Sequence, residues 1–453
     1  MRLPIRHAVG AEKSRLTAGN GLHVTSGQVL ERMEKGQAGS MIIAAPGRVY
    51  YGWTLLVCLG IITIIAYGTI QYFFGVLLVP VGRELGWSRA QLSLSYSTAL
   101  LVSGLLGYPT GRWVDRKGAR AVLTFGAVLA CLALFGLSRV EQRWQWHLLW
   151  GGGLGVAGAM MQYPVTFTVV ANWFHRRRGS AMAWLTVLGG LASPVFIPLA
   201  GWLVPRIGWR QTSVVFALTH LCVSLPLALL LVRRHPEDVG LFPDGASSAE
   251  EAATTPMTGM DARDAIRRLP FWTLTLTNLV AQLGSNVLFA HQVAYMIDRG
   301  HNPAAAAVVA GLVGVASLPG RYLFNAMSDR VHSQVLLSIC QTVLAFGVVL
   351  LTLGSSTGWL VAYLIVYGSA FGASGGLIAS VRAEHFGRRA FGAISAIQGY
   401  PALGGAALGP LLAGWIYDRS GSYQVSFAAV AALYIVSAAA MFATPKPEGL
   451  TRD

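Results

Sequence analysis

From residue 50 to residue 443 the chain repeats one pattern: a long apolar run, a short polar turn, and another apolar run. A hydrocarbon core about 30 Å thick takes roughly 20 residues of helix to cross, so the pattern predicts membrane spans and not the half-polar helices of a soluble core. Twelve runs are predicted, at 50–79, 91–113, 119–138, 146–172, 179–204, 211–232, 270–297, 303–327, 333–353, 357–381, 389–416 and 423–443. The turns between them carry Gly, Pro, Asn and charge, as chain reversals at a water interface require. Only the segment 233–269 is long. The fold class expected is therefore an all-α membrane protein.

Composition supports this and adds an orientation. Of 453 residues, 54% are hydrophobic and 12% charged, against a charged share of roughly 25% in soluble chains. With the N-terminus placed in the cytoplasm, 25 of the 34 Lys and Arg residues fall on the cytoplasmic side and 8 on the other, the last being Arg321 within a span. That bias puts both termini and 233–269 inside. The net charge of +15 lies in short loops beside helix ends, which suits anionic lipid headgroups and not nucleic acid. Cys58, Cys131, Cys222 and Cys340 lie in four different runs without CxxC spacing and are read as packing residues. Residues 1–48 are read as a disordered cytoplasmic tail without a secretory signal, with Met41 as an alternative start.

The chain also resembles itself. G107-Y-P-T-G-R-W-V-D115-R116 and R321-Y-L-F-N325-A-M-S-D329-R330 register at an offset of 214. "WFHRRRGSA" with its following "PLAGW" matches "HFGRRAFGA" with "PLLAGW" at offsets of 212 and 213. Two six-helix bundles in parallel orientation, 49–232 and 270–444, account for both matches, with 233–269 as a cytoplasmic linker and 445–453 as a second tail. Parallel repeats of this kind build one large class of secondary transporters, with the substrate site near the midplane between the halves.

The stretch "GRWVDRKGAR" (111–120) resembles the loop signature of the major facilitator superfamily. The resemblance implies a gating clasp in which Asp115, Arg116 and Arg120, echoed by Asp329 and Arg330, hold the cytoplasmic ends of neighbouring helices. A solvated basic turn that only sets topology is the simpler alternative. "YYGW" (50–53), "NWFHRRRGSAMA" (172–183), "RRHPEDVGLFPDG" (233–245) and "AIRRLPFWTL" (265–274) narrow the likeness to the bacterial branch of the monocarboxylate transporter family, relatives of the oxalate/formate antiporter included.

Candidate binding residues come from both sources. Thr63, Tyr67 and Gln71 recur every fourth residue on the first span, and Asn278, Gln282 and Asn286 on the seventh. Eight residues at about 100° each drift only about 80°, so each triplet occupies one face. Tyr363, Tyr367 and Phe371 form such a face on the tenth span, and Ser317, Arg321 and Asn325 on the eighth. Such stripes either line a cavity or pack helices together. A charge at bilayer depth costs about 2.5–3.5 kcal/mol on insertion scales and marks function by default, and no Asp or Glu lies within any predicted span. The resemblance implies that Arg321, eight residues before Asp329, binds the substrate carboxylate. It also marks two departures, Ser317 where proton-coupled relatives carry Asp and Gln71 where many carry Lys. His291 is read as a wet interface residue and His220 as a packing hydrogen-bonder.

The expectation is a secondary transporter of the inner membrane, a monomer that moves a mono- or dicarboxylate by alternating access with a proton or counter-anion as possible partner. A drug or neutral-solute exporter, or a non-transporting membrane sensor, is the alternative. No nucleophile–base pair, metal cluster or phosphate loop suggests an enzyme or a cofactor.

Overall fold

The computed structural model describes residues 50–174, 177–245, 259–328, 330–354, 356–387 and 389–445, with the side chains of Asp115, Arg178, Gly245, Asn325 and Ala326 excepted. The tail expected at 1–48 lies outside the described residues, as does the end beyond Pro445. Within them the chain forms α1 (Tyr51–Leu85), α2 (Arg89–Lys117), α3 (Ala119–Leu137), α4 (Arg143–Trp173), α5 (178–207), α6 (209–231), α7 (Leu269–Asp298), α8 (Pro303–Met327), α9 (Ser333–Leu353), α10 (Thr357–Phe386), α11 (Phe391–Ser420) and α12 (Gln424–Phe442). These are the twelve expected spans: α8 and α9 match their apolar runs to the residue, and α1 and α10 run on past theirs to Leu85 and Phe386.

Eight stretches pass a length-and-hydropathy test for spanning, and one of these, Gly179–Leu231, is α5 and α6 read together. The turn between that pair is made at Gly208, whose φ of 79° belongs to the left-handed region where glycine meets no Cβ penalty. α2, α7 and α11 fall outside the test. α2 meets α11 and α1 meets α7 across the two halves, and polar side chains such as Tyr96 of α2 and Asn286 of α7 meet there.

Small residues set how close the helices come. On α11, Cβ atoms built at Gly405 and Gly409 would stand 2.8 Å and 3.0 Å from the carbonyl oxygens of Leu279 and Leu283 on α7. The "GAALGPLLAG" stretch is thus a packing seam. Gly372 on α10 meets the Ser317 carbonyl of α8, and Gly314 of α8 meets Pro194 and Ser193 of α5. In lipid, where apolar contact between helices gains nothing over contact with acyl chains, close backbone approach of this kind drives association. Cys58 and Cys340 are buried as expected, but Cys222 is exposed on the outer face of α6 and does not pack.

Four helices depart from regular α geometry, α6 by i→i+5 bonding over His220–Ser224 and α4 first by the same widening over His147–Leu154. α1 widens to i→i+5 bonding over Tyr67–Tyr72, and α4 breaks at Gln162, whose extended backbone precedes Tyr163 and Pro164. α5 turns at Leu191. The irregularities at Tyr67–Tyr72, Gln162 and Leu191 lie toward the contact between the halves, where Arg321 sits.

Candidate functional site

Arg321 is half-buried on α8 and points across to the other half of the molecule. Its Nη1 donates to the Thr186 carbonyl of α5 at 3.1 Å, and its guanidinium stands against Gly190, four residues on. The Tyr163 hydroxyl reaches the same Thr186 carbonyl at 3.4 Å. The break at Gln162 aims Tyr163 there, so a guanidinium and a phenol from opposite halves converge on one oxygen. Rings continue the wall: Tyr163 packs on Tyr67 at 5.0 Å and Phe167 at 4.9 Å, Tyr72 on Phe289 at 4.9 Å, and Phe289 on Phe371 at 5.1 Å.

Further along the same contact, Gln71 Nε2 donates to Asn286 Oδ1 at 3.3 Å and Tyr96 donates its hydroxyl to that oxygen at 3.2 Å. The Asn286 amide nitrogen in turn donates to the Gln282 carbonyl at 2.8 Å. Gln71 also lines a narrow cleft with Tyr96, Ser103 and Gln162. Tyr67, Gln71 and Asn278 are half-buried, and Gln282 is exposed although it lies mid-helix. The face expected on α7 therefore meets α1 and α2, part of it uncovered. A groove of about 440 Å³ between Ser338–Val343 of α9 and Ile435–Phe442 of α12 is apolar, lies on the outer surface and has no part in this arrangement.

Three expectations need correction, and two further residues fall outside what is described. Ser317 does not continue a polar ridge with Arg321: it is fully buried, donates its hydroxyl to the Gly314 carbonyl at 2.6 Å and packs against Gly372. Tyr367 is also fully buried, packed on Gly347 inside its own half and stacked between Tyr363 and Phe371, so no solute touches it in this conformation. His291 is not wet but fully buried, bonded to Tyr423 Oη at 2.9 Å and to the Pro410 carbonyl at 2.8 Å. The Asn325 side chain and Asp329 lie outside the described residues. His220 does act as a packing hydrogen-bonder, 2.8 Å from Thr69 Oγ1.

Among the described side chains, those of the expected clasp residues Arg116, Arg120 and Arg330 are not drawn together across the halves. Arg116, Arg120 and Arg330 are exposed, and the Arg116 carbonyl accepts from Arg234 of the linker at 3.3 Å; the Asp115 side chain is outside the description. At this end the helices part. Gly104 of α2 still touches Leu403 of α11, but one turn on Tyr108 is 70% exposed and Tyr400 is 61% exposed.

At the opposite end the halves are tied. Arg89, the first residue of α2, forms an ion pair with Asp298 of α7 at 2.7 Å, donates to Tyr423 Oη at 2.7 Å and lies 3.7 Å over the Tyr417 ring. Asp418 of α11 accepts from the backbone N–H groups of Arg89 and Ala90 at 3.0 Å and 2.9 Å, where a carboxylate also suits the helix dipole. The molecule is thus closed at the Arg89 end and open at the Arg116 end, with Arg321 between.

Sequence reasoning missed Tyr72, Tyr96, Tyr163 and Thr186 in the centre and Arg89, Asp298 and Asp418 at the closed end. Thr186 acts through its backbone, which no side-chain pattern reports. The charged trio lies at three helix ends, where charge is ordinary in any membrane protein.

Comparison with known proteins gives a consistent answer. Residues 59–404 match the Major Facilitator Superfamily. Monocarboxylate transporter 13 of Rattus norvegicus is 25% identical over 399 residues, covering 87% of this chain and 89% of the relative. Monocarboxylate transporter 3 of the same organism is 27% identical over 416 residues, 86% and 79% of the two chains. Among solved structures, a bacterial homolog of the human lysosomal transporter Spinster, inward-facing and unoccupied, superposes with a TM-score of 0.67 at 17% identity, covering 87% of this chain and 97% of that one.

Proposed function

The chain belongs to the Major Facilitator Superfamily, and from that premise we propose that it carries a small organic anion across the inner membrane by alternating access, with Arg321 receiving the carboxylate. The observation that carries this reading is the position of Arg321, midway between a closed and an open end and in contact with the other half through Thr186. A guanidinium can give a carboxylate two parallel hydrogen bonds, and Tyr163, already directed at the same point, can add a third. Substrate would exchange the Thr186 carbonyl for its own oxygens, so binding and the contact between halves are coupled through one side chain.

The surroundings favour a monocarboxylate. Gln71 stands where a second cation is expected of the family, and the neighbouring wall is aromatic. A second carboxylate would lie desolvated against rings and amides, a cost a single guanidinium does not offset. The open end, beside the basic loops, is the cytoplasmic one on the charge bias, which makes this conformation inward-facing with both termini inside. The competing reading is a neutral-solute carrier in which Arg321 is structural; its bond to a backbone carbonyl is what a structural arginine would make.

Proteoliposomes offered labelled monocarboxylates, dicarboxylates and neutral solutes separate the two. Saturable uptake of a monocarboxylate is expected, with dicarboxylates weaker by tenfold or more. Uptake of a neutral solute that no carboxylate inhibits would replace it with the competing reading.

A further inference from the structure

The closed end contains a buried histidine that the transport reading does not use. His291 Nε2 lies 2.8 Å from the Pro410 carbonyl, an acceptor only, so Nε2 carries the hydrogen. Nδ1 then holds a lone pair toward Tyr423 Oη, 2.9 Å away, and the Tyr423 hydroxyl donates to it. Tyr423 Oη in turn accepts from Arg89 Nη1 at 2.7 Å. The direction of every bond is set: Arg89 to Tyr423, Tyr423 to His291 and His291 to Pro410. Ser93 of α2 lies 3.4 Å from Nε2, so the ring is walled by both halves.

We propose that His291 is a proton-binding site that the closed external end excludes, and that external protons taken up there hold this end open. A second proton, drawn from external water, would sit on Nδ1 and face the Tyr423 hydroxyl hydrogen. To accept it, Tyr423 must turn its own hydrogen away, and its oxygen would then serve two cations, Arg89 and the imidazolium, a few ångströms apart in a dry site. The closed end therefore admits only neutral His291, whereas the parted end gives it water.

The charged and titratable groups facing the site from each packed element enter this balance. Arg89 of α2 opposes the added charge. Asp298 of α7 is already paired to Arg89, and Asp418 of α11 to the α2 N-terminus. Tyr295 of α7 and Tyr417 of α11 offer rings to Tyr423 at 6.4 Å and 4.5 Å. On α1, Glu84 is occupied by Trp209 and Arg210. Asp298 is thus neutralised by Arg89, whereas Asp418, bound to the backbone N–H groups of α2, keeps its charge outside the ring's own hydrogen bonds. The sign follows: the closed end binds one proton fewer than the open end, so lowering the external pH favours opening.

This rests on the reading that the halves part at the Arg89 end, and not on Arg321 or any substrate. The test uses the full chain with its four cysteines replaced and Ser97→Cys on α2, one turn beyond Ser93 and buried in the closed state. Labelling from outside by an impermeant thiol reagent is normalised to Asn302→Cys, an exposed control that cancels the pH dependence of the chemistry. Normalised labelling should rise at least threefold between pH 7.5 and 5.5, and His291→Gln should abolish the rise. Tyr423→Phe, which keeps the ring but removes the donor to Nδ1, should raise labelling already at pH 7.5 and shift the response to higher pH. A flat parent response, an unchanged response in His291→Gln, or a Tyr423→Phe protein indistinguishable from the parent would each overturn the proposal. If His291→Gln fails to fold, the Tyr423→Phe result decides alone.

Discussion

Ser317 shows what a residue's neighbours do to a pattern read from spacing. Four residues before Arg321, it falls on the same face of an ideal helix, and the family resemblance marks it as the place of a proton-carrying Asp. The structure fills that place with backbone: the hydroxyl is bonded to Gly314 and the main chain packs on Gly372. Ser317→Asp should therefore lower stability, since a carboxylate there would face a carbonyl oxygen in a dry seam, at a cost of about 3 kcal/mol or more. A fall in the thermal unfolding midpoint in detergent is the expected result. A stable variant with newly pH-dependent uptake would show instead that the carboxylate reaches Arg321. Arg321 itself was legible in the sequence, because a lone charge within an apolar run is a strong signal. Its partners were not, because Thr186 contributes an atom every residue has.

Among the elements, the apolar runs located the spans and left their irregularities hidden. The runs end where charge begins, yet α1 continues to Leu85 and α10 to Phe386, because helical bonding persists into the interface where Lys and Arg side chains find water. The wide turn at Tyr67–Tyr72 and the break at Gln162 depend on tertiary contacts, Phe196 against Gly68 among them, which periodicity does not carry. The glycine seams do offer a test. A Cβ at Gly372 would meet backbone and not a flexible side-chain tip, so α8 and α10 would have to separate. Gly372→Val should cost about 1–3 kcal/mol and reduce both yield and uptake, whereas Gly375→Val, at a position with nothing within 4 Å, should leave the unfolding midpoint within a degree or two. Equal effects would remove the seam from the account.

For the whole molecule, the internal repeat and the basic asymmetry imply two parallel bundles with their basic loops in the cytoplasm. The resemblance directed attention to the Asp115 end for gating, and there the described side chains are apart; the halves are held at the other end by Arg89, Asp298 and Asp418. Charge pattern predicts a side and says nothing of which side is closed. Orientation is tested by single cysteines: Arg120→Cys should label only after permeabilisation and Asn302→Cys in intact cells, and the reverse would invert the topology.

Arg321 is the residue proposed to hold the substrate carboxylate between the halves. The most direct measurement is uptake of a transported monocarboxylate by proteoliposomes carrying the parent chain, Arg321→Lys or Arg321→Ala, each first shown to be folded by gel filtration and unfolding midpoint. Two charge-assisted hydrogen bonds at about 1.5 kcal/mol or more apiece predict an affinity loss of about a hundredfold or more for Ala. Lys should lose nearly as much, since it offers a point charge and not a fork. Uptake by Arg321→Ala with near-parental rate and affinity would contradict the claim and leave Arg321 a structural tie to Thr186.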